Sequence, residues 1–296
     1  MTGSAVNLNR IRKEKKRAEK QAAAAENRVK FGRTKAEKAR DAAGDEKMRR
    51  TVDGARRGLL PVRDPVSHAK AYPFPAPDHS FLYEGGGWQM LRTGFETADR
   101  TPVLAAGSNQ SPEQLARKYG AMPDIGSIPA QRGVLHDFDV VYAAHLSGYG
   151  SVPATFQHSP GTVVTIFVLW LTEPQLDRMH ETEGNYSYDH LESLRLELDG
   201  DVALPAAYAY TSKIGCLSYD GGCVSLAEIA AQNRQFPALT QVGMQAVIRD
   251  RLAPGMALDS FIEQHISDPV LHRERSTRLA DGALSVAYRR RIIADL

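Results

Sequence analysis

The stretch "TVVTIFVLWLTEPQLDRMHETEG", residues 162–184, carries a strand signal, a helix signal and an unusual acid in succession. Its first ten residues are an almost continuous apolar run, which is typical of a strand buried on both faces. Thr172 and Gln175 then form a capping pair that predicts the start of a helix. We expect this helix to end on Glu183, directly before the stop signal Gly184. A carboxylate at the negative end of a helix is unfavourable by roughly 0.3–1 kcal/mol, so Glu183 marks a candidate functional site.

The helical spacing predicts which way this acid points. Met179 and Glu183 follow Leu176 by three and seven residues, so all three lie on one face of a helix. Asp177 and Glu181 point the other way. An acid on the apolar face loses hydration, which makes its carboxylate a better proton acceptor. The alternative is a partly exposed Glu at the helix end, bonded to a nearby backbone amide or Arg.

A second stretch of interest is "AAGSNQSPEQ", residues 105–114. A predicted strand, "PVLAA", ends here, and the chain turns at 107–109 into a helix that Ser111 caps, with Gln114 closing the capping box. Such a turn exposes backbone N–H groups at a helix N-terminus, which favours anions, and Gly107 would let a ligand approach the backbone. Gly, Ser and Asn are also ordinary turn residues, so the turn alone leaves function open.

The order of signals predicts the fold class. Alternating and apolar strands dominate the middle of residues 101–296, short turns link them, and mostly helical segments follow from Ser225. We therefore expect an α+β domain with a small mixed or antiparallel, barrel-like sheet and helices packed outside it. Residues 58–100 include "PFPAP" and "EGGGW" and are predicted to be a Pro/Gly-rich linker that partly packs on this domain.

Residues 1–60 differ sharply from the rest in charge. They contain 18 Lys and Arg against 8 Asp and Glu, a net charge of +10, whereas the remaining residues contain 19 against 27, a net charge of −8. The segment is rich in helix formers, and Thr34 with Glu37 predicts a second helix within it, but no continuous apolar stripe is present. Residues 1–57 are therefore interpreted as a basic arm, either a solvated, partly helical or disordered tail or a grip for nucleic acid or another acidic partner.

Several classes of protein are disfavoured by the composition. No apolar run approaches the ~20 residues of a membrane helix, and the basic N-terminus lacks the apolar segment of a secretory signal. We therefore expect a cytoplasmic protein without a membrane partner. Cys216 and Cys223 are spaced C-x6-C, which fits no metal or redox motif, so we predict two reduced thiols and no metal site.

The order of motifs resembles the γ-glutamylcyclotransferase superfamily over residues 101–215 and less clearly beyond. Members show a Y-G-S-N loop after the first strand, then Ala-Thr, a Pro-Gly turn and a strand, and then a helix ending Leu-Asp-x-x-Glu-Gly with a Tyr shortly after. The matching positions are Gly107, Ser108, Asn109, Ala154, Thr155, Pro160, Gly161, Glu183, Gly184 and Tyr188. The arm resembles a short, basic family of unknown function found fused or free in bacteria.

Two departures from the family pattern concern the site. Ala106 replaces the loop Tyr, and Met179-His180 replace the Leu-Asp pair. No clear counterpart occurs near Ser225 for a further substrate-facing Tyr. Lost tyrosines affect the identity of the substrate more than the fold.

The resemblance implies an enzyme that needs no cofactor. A γ-glutamyl peptide or amine would cyclise to 5-oxoproline and a free amine, with Glu183 as general acid and base. Ala106, Gly107, Ser108, Asn109 and Tyr188 would bind this small-molecule substrate. The alternative is a non-catalytic binding module of the same fold, whose basic arm contacts nucleic acid or the ribosome. A Glu183 carboxylate paired with an Arg would favour this module.

Overall fold

The computed structural model describes residues 63–92, 94–105 and 107–296. The helices predicted within residues 1–57 and the loop position Ala106 lie outside these ranges. The described helices are α1 (Pro65–Lys70), α2 (Pro112–Tyr119), α3 (Glu173–His180), α4 (Gln241–Leu252), α5 (Leu258–Ser267) and α6 (Pro269–Ala280). The strands are β1 (Phe81–Glu84), β2 (Gly87–Met90), β3 (Thr101–Ala105), β4 (Ile128–Tyr142), β5 (Ala154–Leu171), β6 (Tyr186–Leu198), β7 (Val202–Ser212), β8 (Ser225–Leu226), β9 (Ala231–Gln232), β10 (Ala238–Leu239) and β11 (Arg291–Asp295).

Five of these strands close into a barrel. The pairing order is β4-β5-β3-β7-β6, and β6 pairs back onto β4. Within this ring only β3 and β7 run parallel, and the other neighbours are antiparallel. Closure leaves these strands without free edges, and their inward side chains fill the interior. The predicted α+β class, with a mixed barrel-like sheet and flanking helices, is confirmed.

The hairpin of β4 and β5 contains the two longest strands of the barrel. β5 begins at Ala154, earlier than the predicted apolar run, because the alternating residues that precede the run continue the pairing with β4. The register shifts beside Asp137, whose φ of 61° lies in the left-handed region. Its carboxylate accepts the Gly161 amide at 2.8 Å. The Pro160-Gly161 motif therefore marks an irregularity within the hairpin and not its end.

The segment predicted to be a linker, residues 58–100, contributes to the core where the structure describes it. β1 pairs with β2 and with β4, and Phe81 and Tyr83 are fully buried in the same cluster as Leu115 of α2. The glycines do form the predicted turn, since Gly85 and Gly86 both have positive φ. The folded unit therefore includes residues N-terminal to 101, because their apolar side chains pack into the core. The linker prediction failed because their Pro and Gly content is typical of a linker.

Two fully buried carboxylates fix the ends of the sheet. The Asp139 side chain accepts hydrogen bonds from the Val140 amide at 2.8 Å and the Ser225 hydroxyl at 2.6 Å, and Arg234 lies 3.4 Å from it. Asp189 on β6 forms an ion pair with Arg290. Helices α4–α6 cover one side of the barrel. None of the helices in the described ranges combines the length and apolar character needed to cross a membrane.

Candidate active site

A cavity of about 320 Å³ opens where the loop after β3 meets the turn after α3. This volume lies within the range of about 300–1,000 Å³ that is usual for small-ligand sites. Its wall includes predicted site residues and several polar residues from other parts of the chain. These lining residues include Tyr72, Gly107, Ser108, Asn109, Gln114, Lys118, His145, Tyr149, Ala154, Thr155, Glu183, Tyr186 and Tyr210.

Glu183 lies in a turn and not on the last turn of a helix. The helix α3 ends at His180, three residues before Glu183, so the predicted end of this helix is wrong. The Glu183 amide donates to the His180 carbonyl at 3.2 Å, and the Glu183 carbonyl accepts the Tyr186 amide at 2.8 Å. These two bonds lead directly from α3 into β6 and turn the acid inward. Glu183 is only 9% exposed, as its predicted position on the apolar face requires.

Both protein donors to Glu183 use the same carboxylate oxygen. The Asn109 side-chain amide donates to Oε1 at 2.9 Å, and the Lys118 ammonium lies 2.5 Å from the same atom. Within the described ranges no group donates to Oε2. Glu183 and residues 107–109 line the same cavity, although 74 residues separate Asn109 from Glu183. The cation is a lysine, not an arginine.

Lys118 occupies an unusual place for a lysine. It lies in the last turn of α2, it is 6% exposed, and its ammonium also lies 3.1 Å from the Met179 sulfur. Lysine is rarely buried without a partner, because the isolated charge would lose its hydration. The ammonium has three donors, so the carboxylate and the thioether leave one for the cavity that Lys118 lines.

The loop after β3 is held by its own turn and by the start of α2. The amides of Gln110 and Ser111 donate to the carbonyls of Gly107 and Ser108, so this turn does not use the amides of 107–109. Ser111 is the N-cap of α2 as predicted, and its hydroxyl accepts the Glu113 amide at 3.3 Å. The capping box predicted for Gln114 is not formed. The Gln114 oxygen Oε1 is buried without a described partner, and the residue lines the cavity instead.

The space in front of Gly107 is filled by Tyr72, which precedes β1. A Cβ placed on Gly107 would lie 2.5 Å from the Tyr72 hydroxyl, so only glycine fits here. The same hydroxyl accepts the Ala154 amide at 2.8 Å, and the Tyr186 hydroxyl donates to the Ala154 carbonyl at 3.1 Å. The close approach expected at Gly107 is therefore made by a tyrosine of the same chain.

The tyrosines and the histidine of the cavity are held neutral. Burial raises the pKa of Tyr72, Tyr186 and Tyr210 well above its ordinary value, and the nearby Glu183 charge acts in the same direction. Burial also raises the pKa of Tyr149 to about 12 and lowers the pKa of His145 to about 4. These tyrosines therefore serve as neutral hydrogen-bonding groups near pH 7. Among the described lining residues, Glu183 is the sole carboxylate.

One predicted substrate-binding residue does not line the cavity. The Tyr188 ring stacks on Tyr208 with centroids 4.9 Å apart and belongs to the core beside α3. Tyr186 and Tyr210 line the cavity instead, and Tyr210 hydrogen-bonds His180 at 2.9 Å. The helix α3 ends earlier than predicted, and β6 begins at Tyr186. Tyr186 therefore takes the place at the cavity that was predicted for Tyr188.

Sequence reasoning also missed Lys118 and Tyr72. A basic residue near a helix C-terminus is ordinary, so Lys118 carried no distinct signal. Tyr72 directly precedes the proline-rich residues 73–77, whose composition is typical of a linker. Within the described ranges, no group of three or more His, Cys, Asp or Glu side chains is arranged to hold a metal ion.

Comparisons with known proteins give two kinds of similarity. Residues 3–57 match a family described as a domain of unknown function, DUF4169. A solved structure named gamma-glutamyl cyclotransferase is similar at 16% identity and a TM-score of 0.31, covering 56% of this chain and 85% of its own. The crystal structure of the uncharacterized protein loc79017 from Homo sapiens is similar at 14% identity and a TM-score of 0.30, covering 63% and 88%. No curated protein matches the chain. At these TM-scores the similarity does not assign a function.

Proposed function

We propose that the folded domain is a cyclotransferase-like enzyme that converts a γ-glutamyl peptide or amine into 5-oxoproline and a free amine. The observation that carries this proposal is the state of Glu183. It is the one carboxylate among the described cavity residues, it is held at Oε1 by Lys118 and Asn109, and its Oε2 is left for a ligand. An acid fixed at one oxygen and free at the other suits proton transfer.

The reaction that this arrangement supports is intramolecular. The substrate ammonium gives a proton to Glu183, and the freed amine attacks the γ-carbonyl carbon of the same molecule. A C–N bond forms, the carbonyl oxygen gains the electron pair, and the ring closes. When the oxyanion collapses, the bond to the leaving amine breaks, and Glu183 gives its proton to that amine. The ring nitrogen loses its second proton to the emptied Glu183 carboxylate, which passes it to the released amine, so the products are the neutral lactam and an ammonium. Holding the folded conformer contributes roughly 7–11 kcal/mol in favourable cases, so no cofactor is required by this chemistry.

The surrounding groups fit the remaining requirements. The amides of Gly107 and Asn109, which the turn does not use, are candidates to bind the substrate carboxylate or the oxyanion. The Ser108 amide is directed at the Tyr72 hydroxyl. Lys118 places a positive charge beside the acid and keeps the carboxylate in one orientation. Asn109 donates to Glu183 through its side-chain amide, which gives it a positioning role, and its Oδ1, which has no described partner, is a candidate to accept a hydrogen bond from the substrate.

The Lys118 ion pair also supports the competing proposal. A carboxylate neutralised by a buried cation is common in purely structural sites, as expected for a non-catalytic module that binds nucleic acid or the ribosome through its basic arm. In this proposal the net charge of +10 on residues 1–60 would attract the phosphates of a nucleic acid. The two proposals differ in what happens when a γ-glutamyl compound is supplied.

The deciding experiment uses the purified full chain. It is incubated with a panel of γ-glutamyl dipeptides and amines, and 5-oxoproline is measured. We expect turnover of at least one compound and its loss in Glu183→Gln. Asp177→Asn, on the outer face of α3, is the matched control and should retain activity. A wild-type chain that releases no 5-oxoproline from any compound would favour the binding module.

A further inference from the structure

The segment that precedes β1 contributes one residue, Tyr72, to the wall of the cavity. Residues 63–77, here called the strap, are fixed at several points: the Ser111 hydroxyl donates to the Pro75 carbonyl at 2.8 Å, and the Ser151 hydroxyl donates to the Ala69 carbonyl at 3.1 Å. The strap therefore contacts both the start of α2 and the loop before β5. Tyr72, 3% exposed, lies between these two anchors and lines the cavity.

The hydrogen bonds of Tyr72 are incomplete in one specific way. Its hydroxyl oxygen accepts the Ala154 amide at 2.8 Å, but no described group accepts the phenolic hydrogen. A tyrosine hydroxyl can donate one hydrogen bond as well as accept, and buried donors nearly always find an acceptor. Since the residue borders a cavity, the missing acceptor is expected to be a molecule in that cavity.

The chemistry of this donor is well defined. Burial and the Glu183 charge keep the phenol protonated, so Tyr72 supplies a neutral O–H and does not act as a base. The accepted backbone N–H polarises the hydroxyl and orients its hydrogen away from Ala154. Such a donor matches an oxygen that carries or gains negative charge.

We infer that Tyr72 contacts the substrate and donates its phenolic hydrogen to an oxygen of the γ-glutamyl group. The inference rests on the proposed function and extends it, because it assigns a substrate contact to a segment outside the loop and the helix turn. Ala106 brings no hydroxyl to the loop, whereas the strap brings Tyr72 to the adjoining residue, Gly107. Tyr72 would thus help to determine which substrates the cavity accepts.

The first test compares Tyr72→Phe with Tyr142→Phe in the full chain. Tyr142 is also buried, but its hydroxyl donates to the Leu239 carbonyl at 3.0 Å, and it does not line the cavity. We expect Tyr72→Phe to lower kcat by about 10²-fold if the acceptor is the oxyanion, or to raise KM by about 10-fold if it is the ground-state carboxylate. Tyr142→Phe should change neither constant. Melting temperatures of both variants separate this effect from a loss of fold.

The second test uses the contact with Gly107. In Gly107→Ala the new Cβ would displace the Tyr72 hydroxyl, so this variant should reproduce the defect of Tyr72→Phe. In the double variant the hydroxyl is absent, and the next Tyr72 atom is 3.5 Å away, an ordinary contact. The double variant should therefore be no worse than Tyr72→Phe alone. Losses that multiply would overturn the placement on which the inference depends.

The two proposals fail in distinguishable ways. An active wild type with fully active Tyr72→Phe overturns the inference about Tyr72 and leaves the proposed function standing. If the wild type shows no turnover, calorimetry with γ-glutamylalanine as the probe replaces the assay. A roughly 10-fold weaker affinity in Tyr72→Phe then supports the contact. Equal affinity overturns it, and a wild type that neither reacts nor binds overturns both proposals.

Discussion

Glu183 and Asp139 are two buried acids beside a cation, and they differ in how their oxygens are used. Asp139 is fully buried, and both of its oxygens are used: Oδ1 accepts the Val140 amide, and Oδ2 accepts the Ser225 hydroxyl, with Arg234 nearby. Glu183 receives both of its donors at Oε1 and lines the cavity with the rest of the carboxylate.

This difference separates an acid that holds the fold from an acid that is available for chemistry. A fully buried carboxylate whose two oxygens both accept hydrogen bonds from the protein is out of reach of a ligand, and removing it leaves its donors unsatisfied. A carboxylate held at one oxygen is oriented by the protein and still offers an acceptor. Burial and an ion pair are common to both, so neither feature alone identifies a catalytic acid.

The largest expected effect is on turnover. Glu183→Gln should lower kcat by about 10²–10⁴-fold, because the amide keeps the shape of the acid but cannot take the substrate proton. Asp139→Asn should change kcat by less than about 3-fold in the protein that remains folded. The measurement is 5-oxoproline release per folded molecule, with the folded fraction taken from circular dichroism. Equal losses of kcat in both variants would contradict the distinction between a catalytic and a structural acid.

The second effect is on stability, and here Asp139 is expected to matter more than Glu183. Asp139→Asn should lower the free energy of unfolding by about 3 kcal/mol, because the substituted side chain is fully buried and the Arg234 side chain, 15% exposed, loses its charged partner. Glu183→Gln should cost less than half as much, since the amide oxygen still accepts from Lys118 and Asn109, and the cavity admits water. Urea unfolding followed by tryptophan fluorescence measures both. A larger loss in Glu183→Gln would identify its ion pair as structural.

A smaller effect is the pH dependence of stability due to His145, which lines the same cavity as Glu183. Burial lowers the pKa of His145 to about 4 from an ordinary value near 6.5. Between these values the unfolded state binds the proton and the folded state does not, so stability is lost as the pH falls. From pH 7 to pH 5 this residue should account for about 2 kcal/mol of that loss.

The variant that tests this is His145→Phe, which keeps an aromatic ring beside Tyr186, whose ring centroid lies 5.5 Å from that of His145. Its unfolding free energy should fall by about 2 kcal/mol less than that of wild type over the same pH range. His265 shares the lowered pKa of about 4 but lies in the helical layer, where its ring nitrogens are 3.3 Å from the Gly150 carbonyl and 3.2 Å from Arg275. The pH dependence due to His265 should persist in His145→Phe. Identical pH profiles for the variant and wild type would refute the assignment to His145.

The smallest effects are expected for the acids on the outer face of α3. Asp177→Asn and Glu181→Gln should each change stability by less than about 0.5 kcal/mol and leave kcat unchanged. Glu181 does form an ion pair with Arg178 at 2.7 Å, but its side chain is 65% exposed. Solvent screens such pairs. These variants give the baseline against which the effects at Glu183 and Asp139 are read.

Much of the fold was predictable because its signals are local. The apolar run of β5, the Thr172–Gln175 capping box and the Ser111 cap are all present as predicted. Local spacing also turned Glu183 inward correctly. The two errors have different causes. The Gln114 side chain lines the cavity and does not cap α2. At the end of α3 the amides of Thr182 and Glu183 donate to carbonyls three residues back, which tightens the last turn and ends the helix.

The rest of the site depends on contacts that no local pattern records. Lys118 reaches Glu183 across 65 residues, and Tyr72 reaches Ala154 across 82. Each residue is ordinary in its own segment and acquires its role only when the barrel brings the segments together. The prolines that follow Tyr72 were interpreted as part of a linker, but their rigidity suits a segment that is packed against the barrel as well as a linker.

The pairing of Asp189 with Arg290 has a consequence for how the chain is made. The two residues are 101 positions apart, and Arg290 is followed by β11, which pairs with β6. While the polypeptide is being synthesised, β6 leaves the ribosome well before the strand and the cation that complete it. During this interval residues 187–190 of β6 lack their partner β11, and Asp189 lacks its cation, so this part of the strand is open to other partners.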